Sequence, residues 1–202
     1  MCYDYIAFGD KVKSLEFGIK ANQVAEKSKN DRLKTFAKAM LALTYLTMGD
    51  FEKAVSYNKA AIEAASTYET DIISVCTVND MGTIYLAMGK IDSALIYTQK
   101  SYELSLKSGI TYWLADTYLQ FGSIHAAMKN SSLALNYWNL ALEEAKRIRS
   151  PKFTSTAYNA IAQYYYSTNQ TDSAKIYATK AITSVKNTAF YTLNVEPAKL
   201  LL

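Results

Sequence analysis

The sequence predicts an all-α protein built as a stack of antiparallel helix hairpins. Three observations carry that expectation. The 202 residues hold only two prolines and seven glycines, the residues that break helix interiors. Turn-prone pairs recur at a fixed step: Gly9-Asp10, Gly49-Asp50 and Gly89-Lys90 stand 40 residues apart, and the same step lands on Lys129-Asn130 and Asn169-Gln170. Small side chains repeat in that register on both sides of each turn.

The segments flanking the turns have helical spacing. Ahead of the fourth turn, Leu114, Tyr118, Phe121, Gly122 and His125 share a stripe; after it come Ala134, Tyr137, Trp138, Ala141 and Leu142. Steps of three, four and one mark a face that repeats near 3.6 residues. Two such helices joined by a very short turn lie antiparallel. The small residues set how closely they lie. Ser14, Ala54, Ala94, Ala134 and Ala174 stand just past the turns, Ala21, Ala61, Ser101, Ala141 and Ala181 two helical turns further on, and Ala42, Gly82, Gly122 and Ala162 before the turns. Such side chains let helix axes approach to the lower end of the usual ~8–10 Å separation. Facing them, four residues before each turn, are Tyr45, Tyr85, His125 and Tyr165.

This arrangement resembles the tetratricopeptide repeat. One unit reads Leu41-Ala42, Tyr45, Gly49-Asp50, Ala54, Tyr57, Ala61, and the next reads Met81-Gly82, Tyr85, Gly89, Ala94, Tyr97, Ser101. The resemblance covers essentially the whole chain and implies a right-handed α-α superhelix, a solenoid. Two features depart from the family pattern. The family repeat is about 34 residues, so a 40-residue step implies longer helices. The family's closing proline is mostly absent, although Ser150-Pro151 supplies a cap and a first-turn proline. The longer step also fits HEAT-like or pentatricopeptide arrays, against which the Gly/Ala/Tyr set argues. The expected organisation is a single array over 1–202: a partial hairpin at 1–28, hairpins at about 33–67, 71–107, 111–149 and 151–187, and a further helix from about 194. The linkers are short, as in Ser66-Thr67-Tyr68-Glu69, and Gly109 is placed to terminate a helix. Both ends read as cut helices, Met1-Cys2-Tyr3-Asp4-Tyr5 as the middle of one and Pro197-Ala198-Lys199-Leu200-Leu201-Leu202 as one just begun, so a longer parent protein is expected.

Composition narrows the function. A net charge of +4, with lysines interleaved among acids, gives no basic face for nucleic acid. No run of about 18 apolar residues spans a membrane, and no basic-then-apolar leader opens the chain. Cys2 and Cys76 match no metal or redox spacing. His125 is the only histidine, which excludes a His-based metal site or triad with a second histidine; it occupies the Tyr45/Tyr85/Tyr165 position and reads as a core substitute. The tyrosines of Tyr164-Tyr165-Tyr166 point in different directions on a helix and form no single patch. No catalytic residue, cofactor or metal is expected.

If the family geometry holds, the first helix of each hairpin lines a concave face. The resemblance then implies a peptide groove presenting Ala39 and Leu43, Asn79 and Thr83, Leu119 and Ser123, Asn159 and Gln163, with Phe36, Cys76, Asp116 and Thr156 one turn earlier and Leu86 and Tyr166 one turn later. Clamps for a terminal carboxylate carry Lys and Arg at such places; here stand amides, hydroxyls and aliphatics, which suit a protein or peptide segment of neutral or mixed polarity. The expected function is a non-catalytic protein-binding scaffold. The alternative is a sensory or regulatory region of a larger bacterial signalling protein, a histidine kinase or transcriptional regulator, whose tetratricopeptide arrays this Tyr/Asn-rich style resembles. That alternative places the chain in the periplasm if it belongs to a membrane sensor and in the cytoplasm otherwise. Self-association through exposed terminal helices is a third expectation, because an unfinished hairpin leaves Leu200, Leu201 and Leu202 without cover.

Overall fold

The computed structural model describes residues 11–66, 72–188 and 195–201. Cys2, Phe8, the Gly9-Asp10 turn, the linker residues Thr67-Tyr68-Glu69, the stretch around residue 194 and Leu202 lie outside the described residues. The chain is all-α, with no strand among the described residues. In order the helices are α1 (Lys11–Lys27), α2 (Asp31–Met48), α3 (Phe51–Ala65), α4 (Ile72–Ala87), α5 (Ile91–Ser108), α6 (Leu114–Ala127), α7 (Ser131–Arg147), α8 (Pro151–Ser167), α9 (Thr171–Val185) and α10 (Val195–Lys199). They fall into two compact units, residues 1–111 and 112–202.

The 40-residue step is a step in backbone conformation. Gly49, Gly89, Lys129 and Asn169 all adopt the left-handed region, at φ of 81°, 71°, 61° and 59°. Each closes its first helix in the same way. The N–H of the left-handed residue donates to the carbonyl three back, as Gly49 does to Leu46 (3.0 Å), and the next N–H donates five back, as Asp50 does to Tyr45 (3.0 Å). The other three turns repeat the second bond: Lys90 to Tyr85 at 2.9 Å, Asn130 to His125 and Gln170 to Tyr165 at 2.8 Å. This is the Schellman closure, which satisfies carbonyls that a helix end leaves open. The same N–H donors sit at the start of the following helix, so two helices are joined with one residue of reversal. Gly109 and Arg149, again 40 apart, take φ of 69° and 52° where the second helices α5 and α7 end.

Across each turn two rings meet. Tyr45 stacks on Tyr57 and Tyr85 on Tyr97, each with centroids 5.4 Å apart, while His125 lies on Tyr137 at 5.3 Å and Tyr165 on Tyr177 at 5.5 Å. The His125 and Tyr137 planes differ by 1°, so the histidine replaces a tyrosine in the clamp, as expected. Behind the rings, Ser14, Ala54, Ala94, Ala134 and Ala174 are fully buried, as are Ala61, Ser101, Ala141 and Ala181; Ala21 is exposed.

In the first unit, α2 pairs with α3 and α4 with α5, and α1 lies against α2. Buried polar bonds fasten these layers: Ser14 Oγ to Thr44 Oγ1 at 3.1 Å, Asn58 Nδ2 donating to the Thr77 carbonyl at 2.8 Å, and Ser74 Oγ donating to that of Ala65 at 3.1 Å. In the second, α6 pairs with α7 and α8 with α9, and α10 packs on both α8 and α9. Here the core is bulkier: Leu119, Trp138, Leu142, Phe153 and Ile161 are buried together. Gly122 makes room for Trp138, since a Cβ at that glycine would fall 2.3 Å from the indole. Ser150 caps α8 by accepting from the Phe153 N–H at 3.4 Å, with Pro151 in the first turn.

Candidate functional site

First helices of neighbouring hairpins touch within each unit, α2 with α4 and α6 with α8. Each helix turns one side to its hairpin partner, and what its other side leaves accessible decides what a partner molecule can reach. The expected groove residues divide on this point. Ala39, Asn79 and Leu119 are buried, at 4%, 1% and 6% exposure. Asn79 faces its own hairpin partner, accepting from Ser101 Oγ at 3.3 Å through Oδ1. These three side chains serve the interior. Leu43, Thr83, Leu86, Asp116, Ser123 and Asn159 are half-buried, with Cys76 among them, while Phe36, Thr156, Gln163 and Tyr166 are exposed.

The accessible side follows a stripe that starts at position 36 of the register and steps by four, three and four. On α2 it is Phe36, Met40, Leu43 and Thr47; on α4, Cys76, Asp80, Thr83 and Ala87. On α6 it runs Asp116, Ser123 and Ala127, with Gln120 between them drawn into the core at 6% exposure, and on α8 Thr156, Ala160, Gln163 and Ser167. Met40, Thr47, Asp80, Ala87, Ala127, Ala160 and Ser167 belong to this stripe and escaped the sequence reading. The signal was present, since they sit at i+4 and i+11 from residues already singled out, but the expected groove took position 39, one residue ahead of the stripe's member at 40, and that residue turns inward.

Two features limit the chemistry of the faces. Hydroxyls on the stripe are turned onto their own helices: Ser123 Oγ donates to the Leu119 carbonyl at 3.0 Å and Thr156 Oγ1 to that of Lys152 at 3.0 Å. Their oxygens remain as acceptors. Asn159 Oδ1, by contrast, is a buried oxygen with no hydrogen-bond partner. No Lys or Arg lies on the stripe. Charge-assisted contacts sit elsewhere. The Lys38 ammonium, 2.7 Å from Glu26, holds that carboxyl below the usual carboxylate range, and Lys53 does the same for Asp50 at 2.8 Å. Among the described residues no three His, Cys, Asp or Glu side chains gather where a metal ion could sit. No described helix is long and apolar enough to cross a membrane. A shallow depression of about 290 Å³ on α8 and α9 is lined by Tyr158, Thr179, Lys180, Thr183 and Ser184, but the three hydroxyls all donate to carbonyls of α9 itself.

Comparison with known proteins agrees with this geometry. No curated protein matches the sequence. Among solved structures, a Rap protein complexed with competence and sporulation factor superposes with a TM-score of 0.84 at 14% identity, over 98% of this chain and 55% of that one. A STAND signal-transduction ATPase with a tetratricopeptide-repeat sensor, from Pyrococcus horikoshii, gives 0.69 at 22% identity, over 96% of this chain and 31% of its own. A kinesin light chain with nearly identical repeats from Podospora anserina gives 0.61 at 13% identity, over 91% of both chains. The chain thus spans about half the length of the Rap protein and a third of the ATPase, and at these identities the likeness shows the fold, an α-α repeat. The family profile described as tetratricopeptide repeat matches residues 35–107 and 113–187. With its Schellman turns, ring clamps and buried small residues in one register, the chain belongs to the tetratricopeptide-repeat family.

Proposed function

We propose that this chain is a non-catalytic protein-binding scaffold that holds an extended peptide segment of neutral or mixed polarity on the accessible faces of its first helices. The supporting observation is the stripe itself: aliphatic and aromatic on α2, amide and hydroxyl on α8, and free of Lys and Arg throughout. Hydroxyl and amide oxygens accept from a peptide's backbone N–H groups, and Phe36, Leu43, Leu86 and Tyr166 contribute apolar contact. The absence of cations favours a segment bound along its length over one gripped by its terminal carboxylate. Each unit is read as presenting its own face: Phe36, Leu43, Thr83 and Leu86 in the first, over Ala39 and Asn79, and Asp116, Ser123, Asn159, Gln163 and Tyr166 in the second, over Leu119.

A peptide array screened with the whole chain, followed by titration of the best binder, tests this. Phe36→Ala with Leu43→Ala, and separately Gln163→Ala with Tyr166→Ala, are expected to weaken binding at least tenfold, since exposed aromatic anchors carry much of such affinity. Unchanged affinity in both double variants overturns the reading.

A second reading is a sensory or regulatory region of a larger signalling protein. The likeness to a tetratricopeptide-repeat sensor within a signal-transduction ATPase supports it. The reading frame on both sides of the chain decides: an adjoining kinase, ATPase or DNA-binding domain supports the reading, and stop codons on both flanks sink it.

A further inference from the structure

The face of the second unit is polar mostly through groups that accept hydrogen bonds. On α6 the half-buried Asp116 carboxylate belongs to the stripe, with Ser123 two helical turns further along. On α8, Thr156 is the register equivalent of Asp116. Because α6 packs on α8, the two residues stand at the same level of neighbouring helices. Ser123 Oγ and Thr156 Oγ1 each give their proton to a carbonyl of their own helix, at 3.0 Å in both cases. Toward a partner they offer lone pairs. No Lys or Arg shares the stripe with them.

One amide on this face is also untied. Asn79 and Asn159 are register equivalents, and Asn79 Oδ1 accepts from Ser101 Oγ at 3.3 Å. The register equivalent of Ser101 is Ala181, fully buried and without a hydroxyl. Asn159 Oδ1 is left as a buried oxygen with no hydrogen-bond partner, an unfavourable state for an amide. No hydrogen bond holds that oxygen inward, and rotation of the side chain brings it to the face, one helical turn beyond Thr156. The first unit lacks this combination. Its stripe carries one acid, Asp80 on α4, but the neighbouring α2 presents Phe36, Met40 and Leu43, and its amide oxygen is already bonded.

A carboxylate among acceptors, with no cation beside it on the stripe, calls for a ligand that brings both N–H groups and positive charge. We infer that the face of the second unit holds a basic side chain of the bound segment, an arginine above all. Its charged head pairs with Asp116 and donates to Thr156 Oγ1 and Asn159 Oδ1. A guanidinium fits best, since it carries five N–H donors and no acceptor, and its bonds to a carboxylate are charge-assisted. This inference rests on the reading of the chain as a peptide scaffold and says which peptides the scaffold selects.

Three pools of short peptides test it, acetylated at the N-terminus and amidated at the C-terminus so that only side chains carry charge. The pools share neutral random positions and differ at one fixed position, which is Arg, Gln or Glu. The whole chain should capture the Arg pool at least tenfold better than the Gln pool and the Glu pool least of all. Asp116→Asn, checked for folding by circular dichroism, should bring the Arg and Gln pools level while still capturing both. Asp116→Lys should turn the preference to the Glu pool; if that variant does not fold, the ratio measured with Asp116→Asn decides. A loss shared equally by all three pools in Asp116→Asn would mean that the carboxylate only supports the fold, and overturns the inference. Equal capture of the three pools by the wild type overturns it too and leaves the scaffold reading standing, whereas capture of none overturns both.

Discussion

The two units share a turn and a ring clamp but fill the space behind them differently. At the residue nine past the turn, the first unit has Asn58 and Thr98, both fully buried. Asn58 reaches across to the next hairpin and ties its Thr77 carbonyl at 2.8 Å. The second unit has Trp138 and Ala178 at the same places, at 4% and 0% exposure. There an indole fills the layer, meets Tyr164 at 6.1 Å, and presses so closely on α6 that only glycine fits at 122. One backbone register thus accepts either a directional hydrogen bond or bulk. The accessible stripes differ in parallel, apolar on α2 and polar on α8. The lesson is that the repeat fixes where a side chain points, and the neighbouring hairpin fixes what it is worth.

The difference predicts unequal sensitivity. Trp138→Ala should be the most damaging change, costing about 3–5 kcal/mol as a large buried aromatic. In a chain of this size each kcal/mol lowers the melting temperature by roughly 2–4 °C. Asn58→Ala, which leaves the Thr77 carbonyl without its side-chain donor, should cost less, about 1–3 kcal/mol. Equal losses in urea titrations would erase the contrast between bulk and bond.

Gly122→Ala follows, at about 1–3 kcal/mol, because the new methyl overlaps the indole. Its diagnostic is coupling: in a Trp138→Ala background the same change should be nearly neutral, since the overlap is gone and alanine favours the helix. Additive losses would show that the glycine serves something other than the tryptophan.

The turns give a smaller, signed test. Lys129 holds a left-handed conformation that costs an L-residue about 1–2 kcal/mol, part of which glycine returns as backbone entropy. Lys129→Gly should therefore raise the melting temperature slightly, and Gly89→Lys should lower it. If both changes destabilise, lysine at 129 contributes through its side chain and the turns are not equivalent.

The weakest effect is electrostatic. Lys53 holds the Asp50 carboxyl below its ordinary value, first through a side-chain hydrogen bond and then through the Lys53 backbone N–H. A depressed folded-state pKa contributes stability that is present above the unfolded value and is lost as pH falls through the folded one. Asp50→Asn keeps an amide oxygen to cap α3 but cannot titrate. Acidification below the carboxylate range should thus narrow the gap in melting temperature between wild type and variant. A gap independent of pH would remove the ion pair from the account.

Much of this architecture was readable beforehand because it is local. The turn pairs, the ring four residues ahead of each, and the alanines five beyond lie on one or two adjacent helices, where a period near 3.6 converts position into direction. Even the His125 substitution was legible, since its place in the register matched Tyr45, Tyr85 and Tyr165, although its stacking on Tyr137 came from the structure. The site was less so. Asn79, expected in the groove, bonds Ser101 inside its hairpin, and the accessible stripe begins at Phe36 with Met40, Asp80 and Ala160 among its members. A phase error of a fraction of a helical turn is invisible to apolar patterning when alanine, threonine and asparagine populate both sides.

Sequence by itself determined the helix pairs, their reversals and their small-residue contacts, because each depends on residues within one 40-residue step. Only the tertiary structure decided the division into two units, the burial of Ala39, Asn79 and Leu119, and the indole pressed on Gly122. Those outcomes depend on which hairpin lies against which, and burial is a property of the neighbour as much as of the residue.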